Sequence, residues 1–243
     1  MERLKTHQSW CVQFKNEEQR ELFNEKTLSI RDPEEVADEL ETLLESNPSE
    51  QVVHEFFEDN PRHLPNAGFY HNGLRGSVVI TKLPLQNDFI TDFAYMSENS
   101  QTILVVCVEI EKPDKKIFRR DSNFSADYNQ ARQQVVDWNF WAQNNRKEAL
   151  KYFGKLARGT DMGWMDISLQ SILVYGRRSE IRNRKRQERW SAEAALLPRT
   201  VVVMTYDRLI ETIRSSFLFK PDNHKFIVCS YRDRALHAKK IRA

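Results

Sequence analysis

A run of mostly apolar residues, Thr102–Glu111, constrains the fold more than any other feature of the sequence. It reads TILVVCVEIE and is ended by Pro113. A strand with one face in water alternates apolar and polar residues, whereas a continuous apolar run is typical of a strand buried on both faces. The run therefore predicts a central strand of a sheet that is covered on both sides.

The segments around this run predict the elements that cover it. Glu98-Asn99-Ser100 forms a turn signal, so a strand at 87–96 is expected to pair with 102–111 as a hairpin. Further strands are predicted at 77–82, 167–175, 199–206 and 226–230, and helices at about 126–144, at about 178–196 and after a capping Asp207. Strands followed by alternating helices and strands indicate an α/β fold, a mixed sheet flanked by helices.

A helical hairpin is predicted at residues 31–61, before the sheet. Asp32 and Ser49 are good N-caps, and Pro33 suits a first helical position. Apolar residues at helical spacing follow each cap, and Asn-Pro pairs end both helices. We expect residues 1–65 to form an N-terminal arm with this hairpin, and residues 66–243 to form the main domain.

Composition excludes several classes of protein. The chain of 243 residues has 37 basic and 35 acidic side chains, which excludes a histone-like polycation but not a local patch for nucleic acid. Its three cysteines form no CxxC pair, so we expect neither a disulfide framework nor a zinc knuckle. We expect a cytoplasmic location, where thiols stay reduced. No apolar stretch is long enough for a membrane span. The sequence has no GxxxxGK[ST] loop, so a nucleotide cofactor is not expected.

Three carboxylates at strand positions are the candidate metal ligands. Glu109 and Glu111 lie two apart at the end of the central strand and so share a face, which Asp92 on the hairpin partner can reach. A carboxylate in an apolar strand is costly unless it is paired or binds a metal, and oxygen ligands favour Mg²⁺ or Mn²⁺. The alternative is that both glutamates leave the strand end and simply meet water.

Two further residues are candidates at this site. Lys112 follows Glu111 but points to the opposite face of an ideal strand, so it reaches the site only through a bulge, and otherwise is a surface lysine. Gln134 lies on one helical face with Trp138 and Trp141. An inward glutamine needs a hydrogen-bond partner, such as a carboxylate, although a polar helix edge explains it equally well. His54 lies beside an apolar helical stripe and is interpreted as structural.

Basic residues cluster in parts of the chain, which the net charge of +2 conceals. The candidates for DNA contact are Lys115, Lys116, Arg119, Arg120, Arg177, Arg178, Arg182, Arg184, Lys185 and Arg186. The C-terminal segment YRDRALHAKKIRA is also basic. Such clusters give salt-sensitive binding to phosphates, and the alternative is a solvated helix face.

Several segments together resemble the Shedu anti-phage defence proteins over about residues 31–215. In chain order they read DPEEV, LLESNPSEQVVHEFFEDNP, FITDFAYM, VCVEIEKP, NQARQQVVDW, LVYGRR and VVVMTYDRLI. The resemblance implies a nuclease domain of the PD-(D/E)xK type, a restriction-endonuclease-like core that hydrolyses DNA with a divalent metal.

The resemblance also implies roles for the candidate residues. Asp92 and Glu109 match the two metal-binding acids of such enzymes, and Gln134 matches a helical glutamine that often accompanies them. Glu111 occupies a position where lysine is more usual, so it is expected to bind metal or accept a proton from water.

The resemblance, together with the carboxylates at strand positions, thus implies a metal-dependent DNA endonuclease in prokaryotic defence against phage or plasmid DNA. A homo-oligomer such as a dimer or tetramer is expected, because nucleases that cut both strands often dimerise. The glutamate at position 111 motivates an alternative, a catalytically silent module that binds or senses DNA. A third hypothesis is a protein-interaction protein that uses apolar residues of the segment 1–30.

Overall fold

A mixed eight-stranded sheet forms the centre of the protein. The structure is a computed structural model that describes residues 12–13, 16–17, 31–65, 78–85, 89–98, 102–158, 166–215 and 226–242. The sheet contains β1 (Val12–Gln13), β2 (Val78–Thr81), β5 (Phe93–Glu98), β6 (Thr102–Ile110), β7 (Asp166–Val174), β8 (Val201–Met204), β9 (Phe226–Arg232) and β10 (Ala235–Arg242). Their order across the sheet is β1-β10-β9-β2-β5-β6-β7-β8. A separate short ribbon pairs β3 (Pro84–Leu85) with β4 (Phe89–Ile90).

The predicted central strand and its hairpin partner are confirmed. β5 and β6 are antiparallel, with Phe93 opposite Val108, and β7 lies parallel to β6 on the other side. Continuing the β5–β6 register by one residue places Asp92 opposite Glu109. β2 is antiparallel to β5 and pairs Thr81 with Phe93. Lys82, the residue that follows β2, therefore also approaches Asp92.

Helices cover both faces of the sheet, as a strand buried on both faces requires. They are α1 (Pro33–Glu45), α2 (Glu50–Asp59), α3 (Ala126–Asn144), α4 (Arg146–Arg158), α5 (Arg184–Leu196) and α6 (Tyr206–Ser215). Val105 and Cys107 of β6 pack in one core with α3 and α4, while Val106 and Val108 pack in the other with α1, α2 and α6. The predicted α/β fold, a mixed sheet flanked by helices, is confirmed.

The predicted helical hairpin is also confirmed, and it packs against the sheet. Asp32 caps α1 and Ser49 caps α2 through their side chains, as the sequence predicts. Arg214 of α6 pairs with Asp38 at 2.6 Å and Glu41 at 2.7 Å, which ties α1 to the neighbouring helix. The division into residues 1–65 and 66–243 stays a prediction.

Several predicted elements differ from the structure. The strand predicted at 87–96 is interrupted, because the chain bends at Thr91 and Asp92 between β4 and β5. The basic helix is divided into a 3-10 turn at Arg178–Ile181 and α5. Asp207 does not cap α6; it lies inside the helix, and the Thr205 hydroxyl accepts from the backbone N–H of Arg208 instead.

Sequence reasoning missed the short strands β1 and β3 and two longer elements, α4 and β10. α4 follows α3 after a single residue and was not predicted. The basic C-terminal segment is mostly the strand β10, where Lys239 and Lys240 form ion pairs with Glu58 and Asp59 of α2. Within the described residues no helix is long and apolar enough to cross a membrane. Most of the arm at 1–30 lies outside the described residues.

Candidate active site

Asp92 lies at the bend before β5 and is held from three directions. Its Oδ2 accepts a hydrogen bond from the backbone N–H of Ile110 at 2.7 Å, and the His54 Nε2 lies 3.2 Å from the same oxygen. Its Oδ1 accepts a hydrogen bond from the Lys82 ammonium. The side chain is only 6% exposed, so these contacts replace most of its water and fix its carboxylate at the end of β6.

Glu109 projects from β6 toward α3. Its Oε1 accepts a hydrogen bond from Gln134 Nε2 at 2.8 Å. Its Oε2 is buried and has no hydrogen-bond partner among the residues that the structure describes. A buried polar atom without a partner is uncommon and carries a substantial cost, so Glu109 is the exceptional residue of the site.

Glu111 lies just beyond β6, and its carboxylate forms an ion pair with Lys115, which is four residues later in the chain. The backbone at this point is fixed, because Glu111 N–H donates to Val174 O at 3.1 Å and the buried Tyr206 hydroxyl donates to Glu111 O. The three predicted acids therefore lie together around the C-terminal end of the central strand.

The acids influence one another strongly. Burial, followed by the negative charges of Asp92 and Glu111, raises the pKa of Glu109 to about 9. Burial also raises the pKa of Glu111, against the opposing effect of Lys115. Burial alone would raise the pKa of Asp92, but the contacts with His54, Lys82 and Ile110 outweigh it, so its pKa is lowered. Asp92 is thus ionised while Glu109 holds a proton near neutral pH.

This arrangement suits a divalent cation. A cation near Glu109 Oε2 would give that orphaned oxygen a partner and would relieve the repulsion among the acids. Glu50 and His54 of α2 also offer ligand atoms, which together with an Asp92 oxygen lie within 4.8 Å of one another. The donor set is rich in oxygen and includes one imidazole, which suits Mg²⁺ or Mn²⁺.

Sequence reasoning missed Glu50 and Lys82 and interpreted His54 as structural only. Glu50 and His54 are four residues apart on α2 and so share a helical face, which was a usable signal. Lys82 follows β2, and only the β2–β5 register brings it beside Asp92. No spacing in the sequence reveals that register.

Lys112 does not reach the carboxylates. Its ammonium is bound to Asp114 at 2.9 Å, and both side chains are partly exposed. No bulge redirects the side chain toward the site, because the β6–β7 pairing runs without a register shift to Ile110. The structure thus favours the interpretation of Lys112 as a surface lysine.

The two predicted basic clusters form one surface. The loop after β6 runs along the start of α5, where Arg186 donates to Arg119 O at 3.1 Å and Lys185 donates to Asp121 O at 3.2 Å. Gly176, with a φ of 63°, allows the close approach of this loop, because an added Cβ would lie 2.8 Å from Ile117 Cγ1. We call the exposed residues Lys116, Arg119, Arg120, Arg182, Arg184 and Lys185 the basic surface.

The remaining basic candidates have structural partners. Arg177 pairs with Asp207, and Arg178 pairs with Glu211 on α6 at 2.5 Å. Arg186 is less exposed and lies over the Phe118 ring, with 5.2 Å from its guanidinium carbon to the ring centroid. Lys115 is bound to Glu111. Lys116, Arg119 and Arg184 of the basic surface also form ion pairs with acids, but their side chains are at least 59% exposed. The remaining candidates are at most 52% exposed and so are less available to phosphates.

A comparison with protein families decides the relationship. The model of the family described as "Shedu protein SduA, C-terminal" matches residues 47–210. The chain belongs to the Shedu family. The match extends from just before α2 to the first half of α6, so it includes every acid of the site and the whole basic surface. A search of curated proteins found no match to the chain.

Membership in the Shedu family implies a defence-related function. The matched region contains Glu50 and His54 as well as Asp92 and Glu109, so α2 of the hairpin lies within it. Gln134 and the basic surface lie within the same matched region.

The raised pKa of Glu109 predicts how the stability of the metal-free protein depends on pH. Between about pH 4.5 and about pH 9 the folded state holds a proton that the unfolded state has lost, so the free energy of unfolding falls as pH rises through this window. Glu109→Gln removes this titration and keeps an acceptor for Gln134. We expect the stability advantage of Glu109→Gln over the wild type to grow from about pH 5.5 to about pH 8.5.

Urea denaturation of both proteins in a chelator, at these two pH values, measures the difference. Glu148→Gln, which changes an exposed glutamate on α4, is the matched control and should show no such trend. A stability difference for Glu109→Gln that stays constant with pH would contradict the assignment.

Proposed function

We propose that the protein is a metal-dependent DNA endonuclease that acts in prokaryotic defence against phage or plasmid DNA. The observation that carries the proposal is Glu109, a buried acid with an orphaned oxygen beside the ionised Asp92. A fold gains nothing from such a costly arrangement unless a ligand such as a cation completes it. The family relationship and the nearby basic surface support DNA as the substrate.

Asp92 and Glu109 would hold the cation. Glu50 and His54 offer ligand atoms near an Asp92 oxygen, and the charge of Glu111 raises the pKa of Glu109. A bound Mg²⁺ or Mn²⁺ would supply Lewis acidity, which polarises the phosphate and acidifies water. Gln134 fixes the orientation of Glu109 through Oε1 and leaves Oε2 free to bind. Outer partners of this kind set the direction of a ligand carboxylate.

The reaction is hydrolysis of a phosphodiester bond. A water oxygen forms a bond to phosphorus while one phosphorus–oxygen ester bond breaks, and no oxidant or reductant is needed. The water gives up its proton to a carboxylate, and Glu111 is the candidate because burial raises its pKa toward the range of a useful base. The leaving oxygen takes a proton from solvent, and the site is then reset by loss of the proton from Glu111.

The basic surface would hold the DNA beside this site. Its members come from the loop that follows β6, from Arg182 just before α5 and from the first turn of α5. No side chain of α5 is buried, so the helix presents its charges to solvent rather than to the core. Exposed lysine and arginine contact phosphates without reading sequence, which suits a nuclease that acts on foreign DNA of many sequences.

Cleavage of DNA tests the proposal. The wild type with Mg²⁺ or Mn²⁺ should cut linear or circular DNA, and a chelator should abolish cutting. Loss of an outer partner of a metal ligand lowers activity by about 10–100-fold. Glu109 is proposed as a direct ligand, so Glu109→Ala should lower the rate by more than about 100-fold. DNA affinity should be nearly unchanged in this variant, because the phosphate contacts of the basic surface are kept.

Glu148→Ala, which removes an exposed acid of α4, is the control and should cut like the wild type. Residual cutting by highly purified Glu109→Ala would contradict the metal assignment. Salt-sensitive DNA binding without any metal-dependent cutting would instead support the alternative of a catalytically silent DNA-binding module.

The basic surface predicts the salt dependence of DNA binding. Arg120→Glu combined with Arg184→Glu should weaken binding and lower the slope of log affinity against log salt by about 2. The control pair Lys147→Glu and Lys151→Glu makes the same change of charge on exposed positions of α4 and should leave the slope nearly unchanged. Fluorescence anisotropy with labelled DNA at several salt concentrations measures both. Equal slopes for the two double variants would contradict this location of the DNA.

A further inference from the structure

Position 111 holds a glutamate, so the cation that could stabilise charge on a reacting phosphate must come from elsewhere. The two nearest lysines in sequence are Lys112, bound to Asp114, and Lys115, bound to Glu111, and their side chains are only 36% and 35% exposed. Lys82 is close in space but distant in sequence, and its ammonium is bound to Asp92. It is thus the lysine in contact with the most strongly held acid of the site.

The backbone at Lys82 is shaped to direct this side chain. Lys82 has a φ of 51°, in the left-handed region that non-glycine residues rarely adopt. Its N–H donates to Asp92 O at 3.0 Å, and Thr91 N–H donates to Leu83 O at 2.9 Å, so the strained residue is held by pairing on both sides. A residue kept in a strained conformation by its surroundings is typical of functional sites.

The position of Lys82 suits contact with a substrate. Its side chain is 56% exposed while that of Asp92 is 6% exposed, so the ammonium lies between solvent and the buried acids. An ionised carboxylate has about four lone-pair sites, so Asp92 can bind Lys82, Ile110 N–H and a cation together. A phosphate that approaches the acids from solvent would meet Lys82 first.

We propose that Lys82 is a catalytic residue, which donates a hydrogen bond to the scissile phosphate and supplies the positive charge that position 111 lacks. The inference rests on the proposed nuclease function. Lys82 stays protonated throughout; the oxygen–phosphorus bond forms and the ester bond breaks beside it, and its ammonium stabilises the charge that develops on the phosphate oxygens. Its ion pair with Asp92 keeps it in place before DNA binds.

Single-turnover cleavage by Lys82 variants tests the role. Loss of one such donor costs about 100–1,000-fold in rate, so Lys82→Met and Lys82→Cys should cut at least about 100-fold more slowly than wild type. Binding of DNA in Ca²⁺ should change by less than about threefold, because one phosphate contact among many is lost. Lys147→Met, at an exposed position of α4, is the matched control and should cut like the wild type.

Aminoethylation of the Lys82→Cys protein with bromoethylamine provides a rescue that a structural role would not give. The reagent restores a lysine-like ammonium at this position. The rate of the treated variant should therefore rise above that of the untreated variant, to within about tenfold of the wild type. Cys107 and Cys229 are buried and burial raises the pKa of both thiols, so they should not react. Wild type treated in the same way controls for the remaining thiol, that of Cys11.

The outcomes separate the two proposals. A wild type that cuts, slow variants that fold and bind DNA, and recovery on aminoethylation support the role of Lys82. A wild type that cuts while Lys82→Met cuts equally well, or no recovery on aminoethylation, overturns this role and leaves the nuclease proposal intact. A wild type that does not cut with any divalent metal overturns both.

Discussion

The burial of Glu109 among other negative charges is the constraint on which the site depends. β6 must be apolar on both faces to lie at the centre of the sheet, yet near its end it carries an acid whose Oε2 has no hydrogen-bond partner within the described part of the chain. The fold tolerates this because neighbouring elements divide the charge unequally. His54, Lys82 and Ile110 keep Asp92 ionised, while burial keeps Glu109 protonated near neutral pH.

The same constraint explains the arrangement around the site. α3 brings Gln134 to one oxygen of Glu109, α2 brings Glu50 and His54 to Asp92, and the bend before β5 turns Asp92 into this space. The loop after β6 then carries basic residues away from the acids along α5. Acidic and basic side chains are thus separated over a short distance, which explains how a net charge of +2 conceals a cluster of acids and a basic surface.

Much of this could be predicted from the sequence because it depends on local patterns. The apolar run of β6, the caps Asp32 and Ser49 and the helical spacing of Gln134 each depend on residues close in the chain. The placement of Lys82 could not be predicted, because it depends on the register of β2 with β5 and on a left-handed backbone. β10 was missed because its basic residues resemble a solvated tail, whereas Glu58 and Asp59 neutralise them in the fold.

The location of the cation is the central claim, and diffraction from crystals grown with Mn²⁺ tests it most directly. An anomalous difference map shows each Mn²⁺ ion without reference to activity. The account predicts a peak within bonding distance of Asp92 and of Glu109 Oε2, and loss of that peak in Glu109→Ala crystals. Crystals that hold Mn²⁺ at other sites, with none beside these two carboxylates, would contradict it.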